Sequence, residues 1–141
     1  MAEYTSAALQ TVVSGQNVIF TETPVSASRC IVHREGSGIV TLRGLTNCQC
    51  RARFRVSFGA NIAVPTGGTA GAISVALAIA GEPLPASTAI VTPAAVAEFF
   101  NVHVDTFIDV PAGCCVTVAI ENTSGVDISV QNANLIVTRE S

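Results

Sequence analysis

From residue 50 onwards the chain alternates apolar and polar residues with a period of two, and helical periodicity is almost absent. Cys50, Ala52, Phe54, Val56 and Phe58 form one face of a run whose other face is Arg51, Arg53, Arg55 and Ser57. The same two-residue period recurs in Ile73-Val75-Leu77-Ile79, in Val102-Val104-Thr106-Ile108-Val110, in Val116-Val118-Ile120 and in Val126-Ile128-Val130. A final run from Ala133 to Arg139 carries Leu135 and Val137 on one side. Side chains on a strand point alternately to opposite faces, so each run reads as a strand with one face buried. Turn-forming clusters separate the runs: Ser14-Gly15-Gln16-Asn17, Glu35-Gly36-Ser37-Gly38, Pro65-Thr66-Gly67-Gly68, Gly81-Glu82-Pro83, Pro111-Ala112-Gly113 and Asn122-Thr123-Ser124-Gly125.

Turns about every 8–14 residues are the mark of an all-β sandwich or barrel, here with about eight to ten strands. The most economical arrangement for one antiparallel domain of 141 residues is a two-sheet jelly-roll sandwich. An immunoglobulin-type sandwich fits less well, because its core tryptophan is missing and the chain has no Trp. Residues 1–141 read as a single domain, with 1–8 as a candidate N-terminal arm. The segment from Thr92 to Phe100 reads as a loop or one helical turn, with Pro93 at its first position.

Charged residues are 12% of the chain and hydrophobic residues 49%. Average soluble domains carry about 25% charge. A surface so poor in charge is covered by Ser, Thr, Asn and Gln, or is buried against copies of the same chain. The run from Gly71 to Ala80 points to the second: its outward face is Ser74, Ala76 and Ala78, small and uncharged, which lets another surface approach closely. The alternative is a strand covered by a loop of its own chain.

The net charge is −3 and lysine is absent, so a general nucleic-acid binder is not expected. The beginning MAEYTSAALQ has neither a basic nor an apolar leader segment. The apolar stretch from Val56 to Gly81 is interrupted by Pro65, Gly67, Gly68 and Gly71 and alternates, so no membrane span is expected. Synthesis in the host cytoplasm follows as an expectation. Cys30, Cys48, Cys50, Cys114 and Cys115 are odd in number, and their C-x-C and C-C spacings lack the paired C-x-x-C of a zinc site. They read as core or interface packing residues rather than metal ligands or nucleophiles.

The sharpest local feature is the ladder Arg51, Arg53, Arg55, whose members stand about 6.6 Å apart on one strand face. It could hold an anionic ligand. Its other reading is a cross-strand or cross-subunit ion-pair set with Asp105 and Asp109, which also share a face. His33 and His103 are the only histidines, and neither belongs to a nucleophile motif. No phosphate loop, dinucleotide fingerprint or calcium loop occurs. A sugar site built on aromatic stacking is disfavoured, since Tyr4 is the only tyrosine. Asn122-Thr123-Ser124 matches a glycosylation sequon and reads as a turn.

The C-terminal third, Pro111-Ala112-Gly113, then Val116 to Glu121, Asn122 to Gly125 and Asn132-Ala133-Asn134-Leu135-Ile136-Val137, resembles the last strands of the tumour-necrosis-factor-like and complement-head-like jelly rolls. The middle segment GAISVALAIAGEPLP resembles the central strand and hairpin of that family. The bacterial and phage members of that family include the heads of collagen-like spore-surface proteins and small trimeric phage and prophage proteins, and His33 to Gly44 and Asn61 to Gly68 are similar to the latter. The chain departs from the former in lacking a Gly-X-Y tract. The resemblance implies a homotrimer on a particle or cell surface, whose partners are its own copies and other virion proteins. The expected function is non-catalytic: a bacteriophage capsid decoration or head-fibre protein with no cofactor. The alternative is a trimeric module that recognises a host glycan or receptor through the loops at Pro65 to Gly71 and Pro83 to Pro93.

Overall fold

The computed structural model describes residues 2–25, 30–44, 51–111, 113 and 115–140, and of Arg51 the backbone alone. Twelve strands occur among the described residues: β1 (Ala2–Ser6), β2 (Gln10–Val12), β3 (Glu22–Val25), β4 (Ile31–His33), β5 (Val40–Arg43), β6 (Arg51–Ala63), β7 (Ile73–Ile79), β8 (Glu82–Pro83), β9 (Ala89–Val91), β10 (Phe100–Pro111), β11 (Cys115–Asn122) and β12 (Ile128–Arg139). They form two antiparallel sheets. The first has the order β10-β6-β12-β1-β3, with β2 also on β12; the second has the order β4-β5-β11-β7-β8, with β9 also on β7. The chain passes from one sheet to the other after β3, β5, β6, β9, β10 and β11, which makes a jelly roll. The strand count exceeds eight to ten because β2, β4, β8 and β9 are two or three residues long, too short to display alternation.

Proline confirms the order of the sheets physically. Pro24 lies in β3, Pro83 in β8 and Pro111 at the end of β10, and each of these strands is at a sheet edge, where a missing N–H costs no ladder bond. The inward faces meet in one core, with Phe20, Phe54, Phe58, Leu42, Ile62, Leu77, Ile120 and Leu135 fully buried. Phe20 and Phe58 meet edge to face at 6.3 Å.

Two departures from simple alternation have local causes. The inward set of β12 changes from Ile128 and Val130 to Ala133, Leu135 and Val137, from even to odd positions. An extra residue must absorb the change. The register against β6 shifts between Gln131 and Asn134, and Asn132 takes φ 57° there, a conformation asparagine tolerates. The two sequence runs are therefore one bulged strand. The β7–β8 hairpin turns on Ala80 (φ 53°) and Gly81 (φ 86°), both left-handed as a two-residue type I′ turn requires.

Residues 1–8 are not a free arm where they are described: Ala2–Ser6 lies in the interior of the first sheet, paired to β12 on one side and β3 on the other. Residues 92–99 form an irregular loop rather than a helical turn, and the helical geometry falls instead on a 3-10 turn at Pro85–Ser87. No helix among the described residues is long and apolar enough to cross a membrane.

Candidate functional site

Strands β6 and β10 are long and in register over their whole length, which sets Arg53 opposite Asp109 and Arg55 opposite Phe107. Their outward side chains meet above the sheet. Arg53 donates to both carboxylate oxygens of Asp109, Nε to Oδ1 at 2.8 Å and Nη2 to Oδ2 at 3.1 Å. Arg55 reaches diagonally to Asp105, with Nε to Oδ1 at 3.0 Å and Nη2 to Oδ2 at 2.5 Å. Both pairs are forked, the geometry that suits guanidinium and carboxylate. Asp105 is held below its ordinary value chiefly by the hydrogen bond from Arg55, with a further bond from Ser57. Arg53 and Arg55 are held above theirs by their partner carboxylates. The Arg51 side chain lies outside the described residues.

Arg53 and Arg55, so paired with Asp109 and Asp105, leave little field for an anionic ligand, and this part of the ladder is a neutral platform. Phe107 rises from it between Asp105 and Asp109 and is 60% exposed. Farther along the same face, Asn101 Nδ2 donates to Asn61 Oδ1 at 3.3 Å, and Asn61 Nδ2 donates to Asn132 Oδ1 at 3.2 Å. The outward face of the first sheet thus carries paired charges, an asparagine row and one large aromatic ring.

The outward face of β7 differs from its expectation. Ala76 and Ala78 are buried within the single chain, and Ser74 is half-buried with its hydroxyl 2.7 Å from that of Thr123. Strand β11 flanks Ala76 and Ala78 on one side, and β8 and β9 flank β7 on the other. A methyl group stands too low to emerge between such neighbours. A hollow of about 270 Å³ remains above Ala78 and Ala119, with Glu121 and Ile39 on its rim.

Of the cysteines, Cys30 packs against the core and accepts a hydrogen bond from Arg139 Nη1 at 3.2 Å, while Cys115 is exposed. Cys115 is not part of the core; it lies on the outer face beside Arg43, its cross-strand partner. Cys48, Cys50 and Cys114 lie outside the described residues. The His33 ring packs tilted against Tyr4, with centroids 4.3 Å apart, and its Nε2 lies 2.8 Å from the Ser37 carbonyl; His103 is exposed. Burial raises the Tyr4 phenol above its ordinary value. Among the described residues no three His, Cys, Asp or Glu side chains gather as a metal site.

A second concave feature lies at the Pro65 to Gly71 loop, which the sequence offered as a recognition loop without its opposite wall. Between the β6–β7 loop and the start of β12 lies a cleft of about 630 Å³, lined by Thr11, Pro65, Thr66, Thr69, Val126 and Asp127. Its far wall is set by Asn122, which is fully buried. Asn122 Nδ2 donates to the carbonyls of Val12 and Val126, both at 2.9 Å, and its Oδ1 accepts from the Ser124 N–H at 3.0 Å. The sequon is thus a structural turn with an inaccessible asparagine. The signal available beforehand was the Asn two residues before Ser, a pattern that makes Asx turns. Its long-range reach to Val12 had no local signature.

No family model matches the chain, and no curated protein matches it. Among solved structures it is similar to the globular domain of a zebrafish complement 1qA protein, at 14% identity and a TM-score of 0.54, over 96% of this chain and 94% of that one. It is more loosely similar to the C-terminal domain of EclA, a sugar-binding protein, at 16% identity and a TM-score of 0.40, over 94% of this chain and 80% of that one. A family 35 carbohydrate-binding module from an environmental isolate gives 12% identity and a TM-score of 0.41, over 100% of this chain and 98% of that one. The first likeness shows the jelly-roll fold; the other two are too loose to bear on function.

Proposed function

We propose that the protein is a non-catalytic, homotrimeric structural module that ends on a virion surface as a bacteriophage capsid decoration or head-fibre protein. One observation carries the self-association: Phe107, 60% exposed, stands between Asp105 and Asp109, whose charges are neutralised in forked pairs with Arg55 and Arg53. Burying an unpaired charge is costly, while a charge that keeps its partner and its hydrogen bonds costs less. Such a face accepts a second protein surface, and a protruding aromatic ring supplies the contact that fills a pocket there. Ile90 at 67% exposure lies on the second sheet, paired with Ser74, and Phe99 and Phe100 are exposed at the start of β10, further apolar surface on a chain with 12% charged residues. The resemblance of the C-terminal third to trimeric jelly rolls supports three copies, and its likeness to their phage members supports the virion.

The test is fractionation of particles from a host that makes the protein. Stoichiometric recovery with capsids that survives a salt wash is the expected result. Absence from every particle fraction refutes the virion role.

A further inference from the structure

The cleft beside Asn122 has the chemistry of a carbohydrate site, and we propose that it binds a neutral oligosaccharide. Its volume of about 630 Å³ lies within the range of small-molecule sites. The polar groups converge from three segments. Asp127 supplies a carboxylate with no hydrogen-bond or ion-pair partner among the described residues, and an ionised carboxylate accepts from two vicinal hydroxyls at once. Thr11, Thr66 and Thr69 supply hydroxyls that both donate and accept. Pro65 and Val126, the latter 46% exposed, offer C–H surface to the apolar face of a sugar ring.

The charge of the lining selects among sugars. Among the described residues no Arg or His lines the cleft, and the one ionisable side chain that does is acidic. Sulfated, phosphorylated or sialylated sugars would meet Asp127 with like charge and no counter-charge. A neutral ligand is favoured.

The walls are built before any ligand arrives, which lowers the cost of binding. Asn122 clamps Val12 and Val126, the neighbours of Thr11 and Asp127. Ser14 Oγ donates to the Ser124 carbonyl at 2.6 Å. On the opposite wall the Gly68 N–H donates to Pro65 O at 2.9 Å, and the Ala97 N–H donates to Val64 O at 2.8 Å. Gly68 lies so close that a Cβ there would stand 2.9 Å from Val64 Cγ1, and Gly67 holds φ 94°. The loop thus takes its fold from two glycines. Without an aromatic platform, affinity per cleft is weak, and copies in one assembly would act by avidity.

The experiment titrates the full chain, labelled with ¹⁵N, with cellotriose, maltotriose, mannotriose and chitotriose, and with sialyllactose as the anionic control, each to about 10 mM. The expected result is saturable shifts at the amides of Thr66, Thr69, Val126 and Asp127 with a neutral trisaccharide and none with sialyllactose. Asp127→Ala, an exposed change that leaves the melting temperature unchanged, should weaken that binding at least tenfold. No shift with any of the four, shifts elsewhere, or unchanged affinity in Asp127→Ala overturns the site. None of these outcomes touches the assembly, which native mass reads separately.

Discussion

Replacing Asn122 with alanine tests how the turn and the cleft wall are held. The carboxamide donates to Val12 O and Val126 O and accepts from the Ser124 N–H and hydroxyl. Val12 is buried, so its carbonyl has no water to turn to, whereas Val126 is exposed and can recruit one. One acceptor left dry costs about 1–3 kcal/mol, and each of the three re-solvated bonds about 0.5–1.5 kcal/mol, so the loss is about 5 kcal/mol at the mid-values. For a chain of this size that lowers the melting temperature by about 15 °C. The assay is a far-UV circular dichroism melt at matched chain concentration, because self-association makes the midpoint concentration-dependent. Asn122→Asp keeps the acceptor but loses the donors and places a charge at a fully buried site, so it should melt lower still. A shift below about 3 °C in Asn122→Ala would refute the reasoning, since it leaves room for only one net hydrogen bond.

Ala80 pays for its left-handed φ of 53° with a crowded methyl, so Ala80→Gly should raise stability by about 0.5–1 kcal/mol in chemical denaturation. Gly44 sits with its would-be Cβ 2.3 Å from the Pro111 carbonyl, and Gly44→Ala should lower the melting temperature markedly because backbone must move. Asp105 is held below its ordinary 3.8 by Arg55, so its contribution to stability is present above pH 3.8 and is lost as pH falls below that value. The melting-temperature difference between the wild type and Asp105→Asn should therefore be constant near neutrality and shrink in acid, and its growth in acid would contradict the pairing. Phe107→Ser should lower the native mass at dilute concentration while the strand signal persists.

The long strands were legible because their periodicity is carried by β-branched and aromatic residues that pack on only one face: β6, β10 and β11 stand where alternation puts them. The shortest strands were not, since two or three residues carry no period. The ion-pair partners of Arg53 and Arg55 could be named from even spacing, because an in-register antiparallel pair preserves it. The burial of Ala76 and Ala78 was not legible, because an alanine face reads the same whether a second subunit or flanking strands shelter it. The cleft was half legible: its Pro65 to Thr69 wall is a turn-rich loop visible in the sequence, but Thr11 and Asp127 are far from it in the chain and meet it only through the topology.

The assembly claim is tested most directly by the native mass of the purified protein, by light scattering after gel filtration. Three copies of the 14.5 kDa chain would give a mass near three times that value, lowered by Phe107→Ser. A monomer at every concentration would contradict the account, and would leave the jelly roll and its cleft as a lone binding domain.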